Sequence, residues 1–221
     1  MGLNNENAAK LVFDIETAPL PDAAEYLEPA EAPSNYKDPL KIAEYIAAKQ
    51  AEQLEKCSLD VDLCRIVAIG WWREGDDVRA ESVRDDAEAN LLTWFWLMVA
   101  DHHLVGFNCL GFDLPVLLRR SLYLGVPAPT IQIDKFKHPQ VTDLMDELSY
   151  GGKLRLRGLA FYCKRFGIDV PDPLTGAEVG QAVQEGRWAD VEAHVKADVT
   201  KTARLAARLG KFRLATEAVT A

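Results

Sequence analysis

No stretch of this chain is apolar for long enough to cross a bilayer. The longest such run, Trp94 to Ala100, is a fraction of the ~20 residues a membrane helix needs. A basic-then-apolar leader is missing too: Asn4, Asn5, Glu6 and Asn7 follow directly on Met1-Gly2-Leu3, so no secretory signal is expected. Glu6 also stands where a myristoylation motif wants Ser or Thr. Cysteine is scarce and unpatterned. Cys57, Cys64, Cys109 and Cys163 form no C-x-x-C pair, which argues against zinc and fits a reducing interior, with the cytoplasm as the expected compartment. Positive charge is in deficit, with 25 Lys and Arg against 34 Asp and Glu and a net charge of −9. Binding to a polyanion through bulk charge is thereby excluded, and any phosphate affinity must come from locally placed cations. Internal repeats and low-complexity tracts are absent. With 48% hydrophobic residues in 221, the chain can bury one sizeable core.

The periodicity predicts alternating strands and helices. A first strand runs over Leu11 to Asp14, and a Pro- and Glu-rich connection over 19–39 is expected to be irregular. Pro39 to about Lys56 reads as a helix with Ile42, Tyr45, Ile46 and Leu54 on its apolar side. Cys64 to Trp72 is nearly continuous in apolar residues, as in a strand covered on both faces. Gly75-Asp76-Asp77 then turns the chain into a third strand around Val78 to Val83. A helix over Glu88 to Ala100, a strand over Leu104 to Phe107, and a helix over Asp113 to Leu124 stopped by Gly125 follow. A short fifth strand lies at Gln140 to Asp143. The rest is mostly helical, with a turn at Val170-Pro171-Asp172-Pro173 and a long final helix from Trp188 to about Leu209. This order suggests one layered α/β domain.

Three segments carry chemistry. In Phe13-Asp14-Ile15-Glu16-Thr17 two carboxylates stand two apart at a strand, and so share a face. Acids held side by side resist burial unless a hard divalent cation such as Mg²⁺ relieves them. The plainer reading is a strand that ends in a solvated acidic turn. In Gly106-Phe107-Asn108-Cys109-Leu110-Gly111-Phe112-Asp113-Leu114-Pro115 the residue Asp113 falls at a helix start, where it is either a simple cap or an ionised group favoured by the helix terminus. In the last helix His194 and Asp198 are i and i+4 on one face, as an exposed ion pair or as a site at the edge of the core.

Together these segments resemble the DEDD-type 3′–5′ exonucleases of the RNase H-like superfamily, in the branch related to the proofreading domain of family-B DNA polymerases. The resemblance spans Leu11 to about Leu209. The stretch Thr142-Asp143-Leu144-Met145-Asp146 is similar to the strand-to-helix passage before that family's third motif, and residues 35–70 to its helical insertion and second strand. The resemblance implies a single domain over residues 1–221 with its core at about 10–210, the insertion within 19–60, and a mixed five-stranded sheet flanked by helices. It implies two divalent cations, Mg²⁺ or Mn²⁺, held by Asp14, Glu16, Asp113 and Asp198. His194 would act as general base or water orienter. It stands four residues before Asp198, a histidine at the spacing the family's tyrosine variety uses. The implied substrate is single-stranded nucleic acid, DNA ahead of RNA, cut from its 3′ end, and no membrane is involved. A separate polymerase or replication factor is the implied protein partner, since any proofreading would occur in trans.

Candidate substrate contacts are Thr17, Asn108, Phe112, Lys153, Arg155 and Arg157, with Tyr150 as a stacking platform beside two glycines. Lys153 to Arg157 could equally be a solvated edge, and Phe107 with Phe112 core. Lys201, Arg204, Arg208, Lys211 and Arg213 read as mostly plain surface; His102, His103 and His138 as structural or exposed. Trp71, Trp72, Trp94 and Trp96 read as core, an exposed member marking an interface. Three other functions stay in view: the same chemistry on RNA or short oligonucleotides, a non-catalytic binding module, and a haloacid-dehalogenase-type phosphatase. The phosphatase would need Asp where Glu16 stands.

Overall fold

Ala9–Pro19 forms the central strand, β1, of a five-stranded mixed sheet. The computed structural model describes residues 8–83, 88–132 and 138–211, so the N-terminal readings on residues 1–7 and the reading of Arg213 lie outside the described residues. Along one edge β1 pairs antiparallel with β2 (Cys64–Arg73), which pairs antiparallel with β3 (Arg79–Ser82). Along the other it pairs parallel with β4 (His102–Gly106), which pairs parallel with β5 (Val141–Asp143). The sheet order is β3-β2-β1-β4-β5.

β1 runs further than its apolar residues suggest. Instead of ending at Asp14 it stays paired with β2 out to Pro19↔Cys64, across an irregularity between Glu16 and Thr17. Acidic residues are depleted in strands, so the apolar run stops before the backbone ladder does. β2 is buried almost throughout, as its unbroken apolar sequence requires.

The two faces of the sheet are covered by different helices. Leu11, Phe13 and Ile15 point into a core with α2 (Glu88–Val99) and α3 (Asp113–Leu124), through Leu92, Phe95, Leu114 and Leu117. A part-buried fork from Arg120 to Glu88, 2.8 Å at both contacts, ties these helices together. On the opposite face Val12 packs with Val199, Ala203 and Ala206 of the terminal helix α7 (Trp188–Arg208). Between come α4 (Leu144–Ser149), α5 (Leu159–Phe166) and α6 (Val179–Gln184). α1 (Pro39–Lys56) starts at Pro39 with the Asp38 carboxylate accepting from the Leu40 N–H. It has no buried residue; Ile42, Tyr45, Ile46 and Leu54 are half-buried.

Candidate active site

The period of two along β1 decides where its acids face. Asp14 and Glu16 follow Val12 on the side of α7, opposite Leu11, Phe13 and Ile15. β4 stops pairing with β1 at Val12↔Val105, while β2 continues alongside. Both carboxylates therefore lie at an open flank, beyond the carboxyl end of a parallel neighbour. This is where α/β sheets commonly bind ligands.

Residues 107–112 turn across that flank. Asn108 adopts the left-handed conformation, φ 60°, and its carbonyl accepts from the Gly111 and Phe112 N–H groups. Asp143, the N-cap of α4, accepts from the backbone N–H of Asn108 and Leu110, both at 2.9 Å, as well as from Met145 and Asp146. One buried carboxylate thus pins the turn to the end of β5. Asp113 opens α3 but does not cap it. Its Oδ1 accepts from the Ile15 N–H at 3.2 Å, fastening it to β1 between the two acids.

α7 supplies the remaining groups, and Gly70 lets it come close. Gly70 pairs with Asp14 across the ladder, and a Cβ there would lie 2.9 Å from methyls of both Val195 and Val199. With the helix at that distance, His194 and Asp198 reach the β1 acids. Ligand atoms of Glu16, His194 and Asp198 all lie within 4.8 Å of one another. His194 Nε2 is 3.5 Å from Glu16 Oε1. A cleft of ≈ 300 Å³ is lined by Asp14, Glu16, Asp113, His194 and Asp198, and also by Thr17, Asn108, Phe107 and Phe112. The spacing of four residues does not keep His194 out of the cleft.

Burial and repulsion dominate the electrostatics. Burial, then the charges of Asp113, Asp198 and Glu16, push the Asp14 carboxyl well above its usual range. Glu16 rises for the same kind of reason, burial first and then Asp198, Asp113 and Asp172. Burial carries Asp113 up to about 7 despite the N–H groups that favour its ionised form. The opposing charge on Asp14 and Glu16 is Lys201. This residue is not the plain surface cation its helical spacing suggests. Its ammonium bonds Asp198 Oδ1 at 2.7 Å and Asp172 Oδ2 at 2.5 Å, and its side chain is 17% exposed. Asp172 also meets His194 Nδ1 at 2.7 Å. Burial works against the Asp172 charge, yet the bonds from Lys201 and His194 outweigh it and hold the carboxyl below its usual range.

The other sequence candidates scatter. Thr17 is buried and donates to the Ser58 carbonyl at 2.6 Å, joining the strand to the segment after α1. Tyr150 is 70% exposed at the left-handed C-cap of α4. Lys153, Arg155 and Arg157 are exposed on the loop before α5, with Arg157 over the Phe161 ring. None of these four is among the residues that line the cleft. Phe107 is buried and Phe112 half-buried at its wall. His102, His103 and His138 are half-buried away from the cleft, His103 bonding Thr142 at 2.8 Å. Arg204 bonds the Asp169 carbonyl, Lys211 pairs with Glu147, and Arg208 is exposed. Trp71, Trp72 and Trp96 are core, while Trp94 is 37% exposed beside Trp71. Sequence reasoning missed Asp172, Asp143 and the site role of Lys201. For Asp172 the available signal was an acid held between two prolines.

A mixed five-stranded sheet of this order, flanked by helices and with acids at its open end, defines the fold class: an α/β domain consistent with an RNase H-like fold. The chain belongs to the family described as "Predicted 3'-5' exonuclease related to the exonuclease domain of PolB", whose model matches residues 58–218. It is accordingly a hydrolase of the 3′–5′ exonuclease class. No curated protein matches. Among solved structures the chain is similar to the family B DNA polymerase from the hyperthermophilic archaeon Pyrobaculum calidifontis. The identity is 19% and the TM-score 0.58, over 91% of this chain and 24% of the polymerase. The chain thus spans about a quarter of that protein's length, and the likeness establishes the shared fold. Among the described residues no helix is long and apolar enough to cross a membrane.

Proposed function

We propose that this protein shortens single-stranded DNA from its 3′ end with divalent cations held by Asp14, Glu16, Asp113 and Asp198. The observation that carries the reading is the convergence of three separate segments on one cleft, four carboxylates and an imidazole lining it together. Oxygen donors of this kind suit Mg²⁺ or Mn²⁺. The burial and mutual repulsion that raise Asp14 and Glu16 are what a hard dication offsets. When bound, a pair of such ions would stabilise the entering and leaving oxygens at phosphorus.

The chain's own groups do the rest. His194 Nε2 opens toward Glu16 and takes a proton from the attacking water. Asp113 keeps its place through the Ile15 N–H. Thr17, Asn108 and Phe112 border the cleft and receive the terminal nucleotide. Tyr150, Lys153, Arg155 and Arg157, on an exposed loop, meet the strand further from its end, the cations on phosphate and the ring on a base. A polymerase or replication factor is the partner class this reading implies.

The test is digestion of a 5′-labelled single-stranded DNA oligonucleotide with Mg²⁺ or Mn²⁺, beside a matched RNA. Asp14→Ala and EDTA serve as controls. A ladder shortening from the 3′ end, abolished by both controls, is expected. If wild type leaves DNA and RNA intact under both ions, the reading fails and a binding module takes its place.

A further inference from the structure

Asp172 stands outside the four acids, and its carboxylate makes three directed contacts beside them. Oδ1 accepts from the Leu174 N–H at 3.2 Å and meets His194 Nδ1 at 2.7 Å; Oδ2 accepts from the Lys201 ammonium at 2.5 Å. Only 14% of its side chain is exposed. Its backbone is constrained on both sides, since Pro171 has a fixed φ and Pro173 restricts the residue before it. The carboxylate is therefore presented from a stiff turn, with little entropy left to lose on holding its partners. His194 is 4% exposed and sits between two carboxylates at unequal distances. The Asp172 contact is a good hydrogen bond, and the 3.5 Å to Glu16 Oε1 is not.

We propose that Asp172 is the positioning residue of this site: it holds His194 as the tautomer protonated at Nδ1, leaving Nε2 a bare acceptor beside Glu16. A neutral imidazole has one donor and one acceptor nitrogen, and the partner of one sets the role of the other. A carboxylate can only accept, so Nδ1 must donate. Nε2 and Glu16 Oε1 then form two acceptors side by side, which can accept hydrogen bonds from both O–H groups of one water. Fixing the ring this way accounts for a histidine at a spacing that would otherwise leave its orientation open. The inference rests on the exonuclease reading for its purpose, but not for its first measurement.

That measurement is the ¹⁵N chemical shift of the His194 ring nitrogens in metal-free protein, where no catalysis is required. A pyrrole-type shift at Nδ1 and a pyridine-type shift at Nε2 are expected. In Asp172→Ala the Nδ1-protonated form should give way to the Nε2-protonated form. Lys201→Met, which leaves the Asp172–His194 bond in place, should keep the wild-type pattern. On a 5′-labelled DNA oligonucleotide with Mn²⁺, Asp172→Ala should lose roughly 10–100-fold in kcat, as removal of such outer partners does elsewhere. KM should stay nearly unchanged, since Asp172 does not line the cleft. If Asp172→Ala does not fold, Asp172→Leu repeats the experiment: it fills the same space but offers Nδ1 no acceptor, so the Nδ1-protonated form should again decline. An imidazolium or an Nε2-protonated ring in wild type overturns the proposal. So does an Asp172 variant that keeps the wild-type tautomer, or one that raises KM and spares kcat. An enzyme with the expected tautomer and no activity on any strand would overturn the exonuclease reading instead.

Discussion

Raising the pH should destabilise the metal-free protein, and divalent cations should reverse the effect. Asp113 shows why. Its carboxyl stands near 3.8 in the unfolded chain and is pushed up to about 7 in the fold. Between those values the folded state holds a proton that the unfolded state has released, so stability falls as pH rises through that window. Below about 4 the group is neutral in both states and this contribution to stability is fully present. Above about 7 it is ionised in both, and the buried charge opposes folding in full. The difference of about three pKa units corresponds to a ceiling of roughly 4 kcal/mol for this one group. Asp14 and Glu16 shift the same way. In a domain of this size 1 kcal/mol moves Tm by ~2–4 °C, so the change should be plain in a thermal melt.

Acidification also relieves the general repulsion of a chain at −9, and Asp113→Asn separates the two effects. The amide keeps an oxygen for the Ile15 N–H and removes the charge. Without metal, the variant should melt higher than wild type at about pH 8 and coincide with it at about pH 3, below the window. Added Mg²⁺ or Mn²⁺ should raise the wild-type Tm strongly at about pH 8 and little at about pH 3, because binding then competes with protons. Parallel wild-type and variant curves across the whole range would refute the reasoning. A cation shift of equal size at both ends would do so as well.

Gly70→Ala should cost ~1–3 kcal/mol in a denaturant melt, because its methyl meets Val195 and Val199 at 2.9 Å and pushes α7 off the sheet; an unchanged midpoint would mean the helix is not held by that approach. Asp143→Ala should cost ~3 kcal/mol or more, since the Asn108 and Leu110 N–H groups lose a buried acceptor while α4 loses its cap. Hydrogen exchange should then quicken at residues 108 and 110 ahead of the rest, and uniform exchange would count against the assignment. Lys201→Met should bind Mn²⁺ roughly tenfold tighter in a calorimetric titration, the equivalent of ~1.4 kcal/mol, because the ammonium on Asp198 no longer opposes the cation. Weaker binding would show that Lys201 instead holds Asp198 in its binding posture.

Much of the fold was legible because its signals are local. α1 begins at Pro39 behind an Asp cap, α3 ends at Gly125 with φ 67°, and β2 is a single apolar run buried over nearly its whole length. The length of β1 was less visible, because its distal half is specified by β2 lying beside it and not by its own composition. The exposed character of α1 is similar in kind. A helical stripe of Ile42, Tyr45 and Ile46 announces a face, but says nothing of how much protein exists to cover it.

The site divides along the same line. Asp14 and Glu16 can be paired from sequence because a strand alternates, and His194 with Asp198 because a helix turns; each pair is fixed by one element's period. The bond from Ile15 to Asp113 crosses 98 positions and the one from His194 to Asp172 crosses 22, and no period relates either pair. Lys201 shows the cost of reading one element alone. Its place on α7 follows the same rhythm as Arg208, and only the turn at Asp172, arriving from outside the helix, makes one a member of the site and leaves the other exposed. Groups that carry charge chemistry were legible as types, while the groups that balance and aim them depend on which loop the fold brings against which face. Asp172 therefore weighs more in this cleft than its sequence context suggests, since among the described residues its carboxylate bonds both the imidazole and the internal cation.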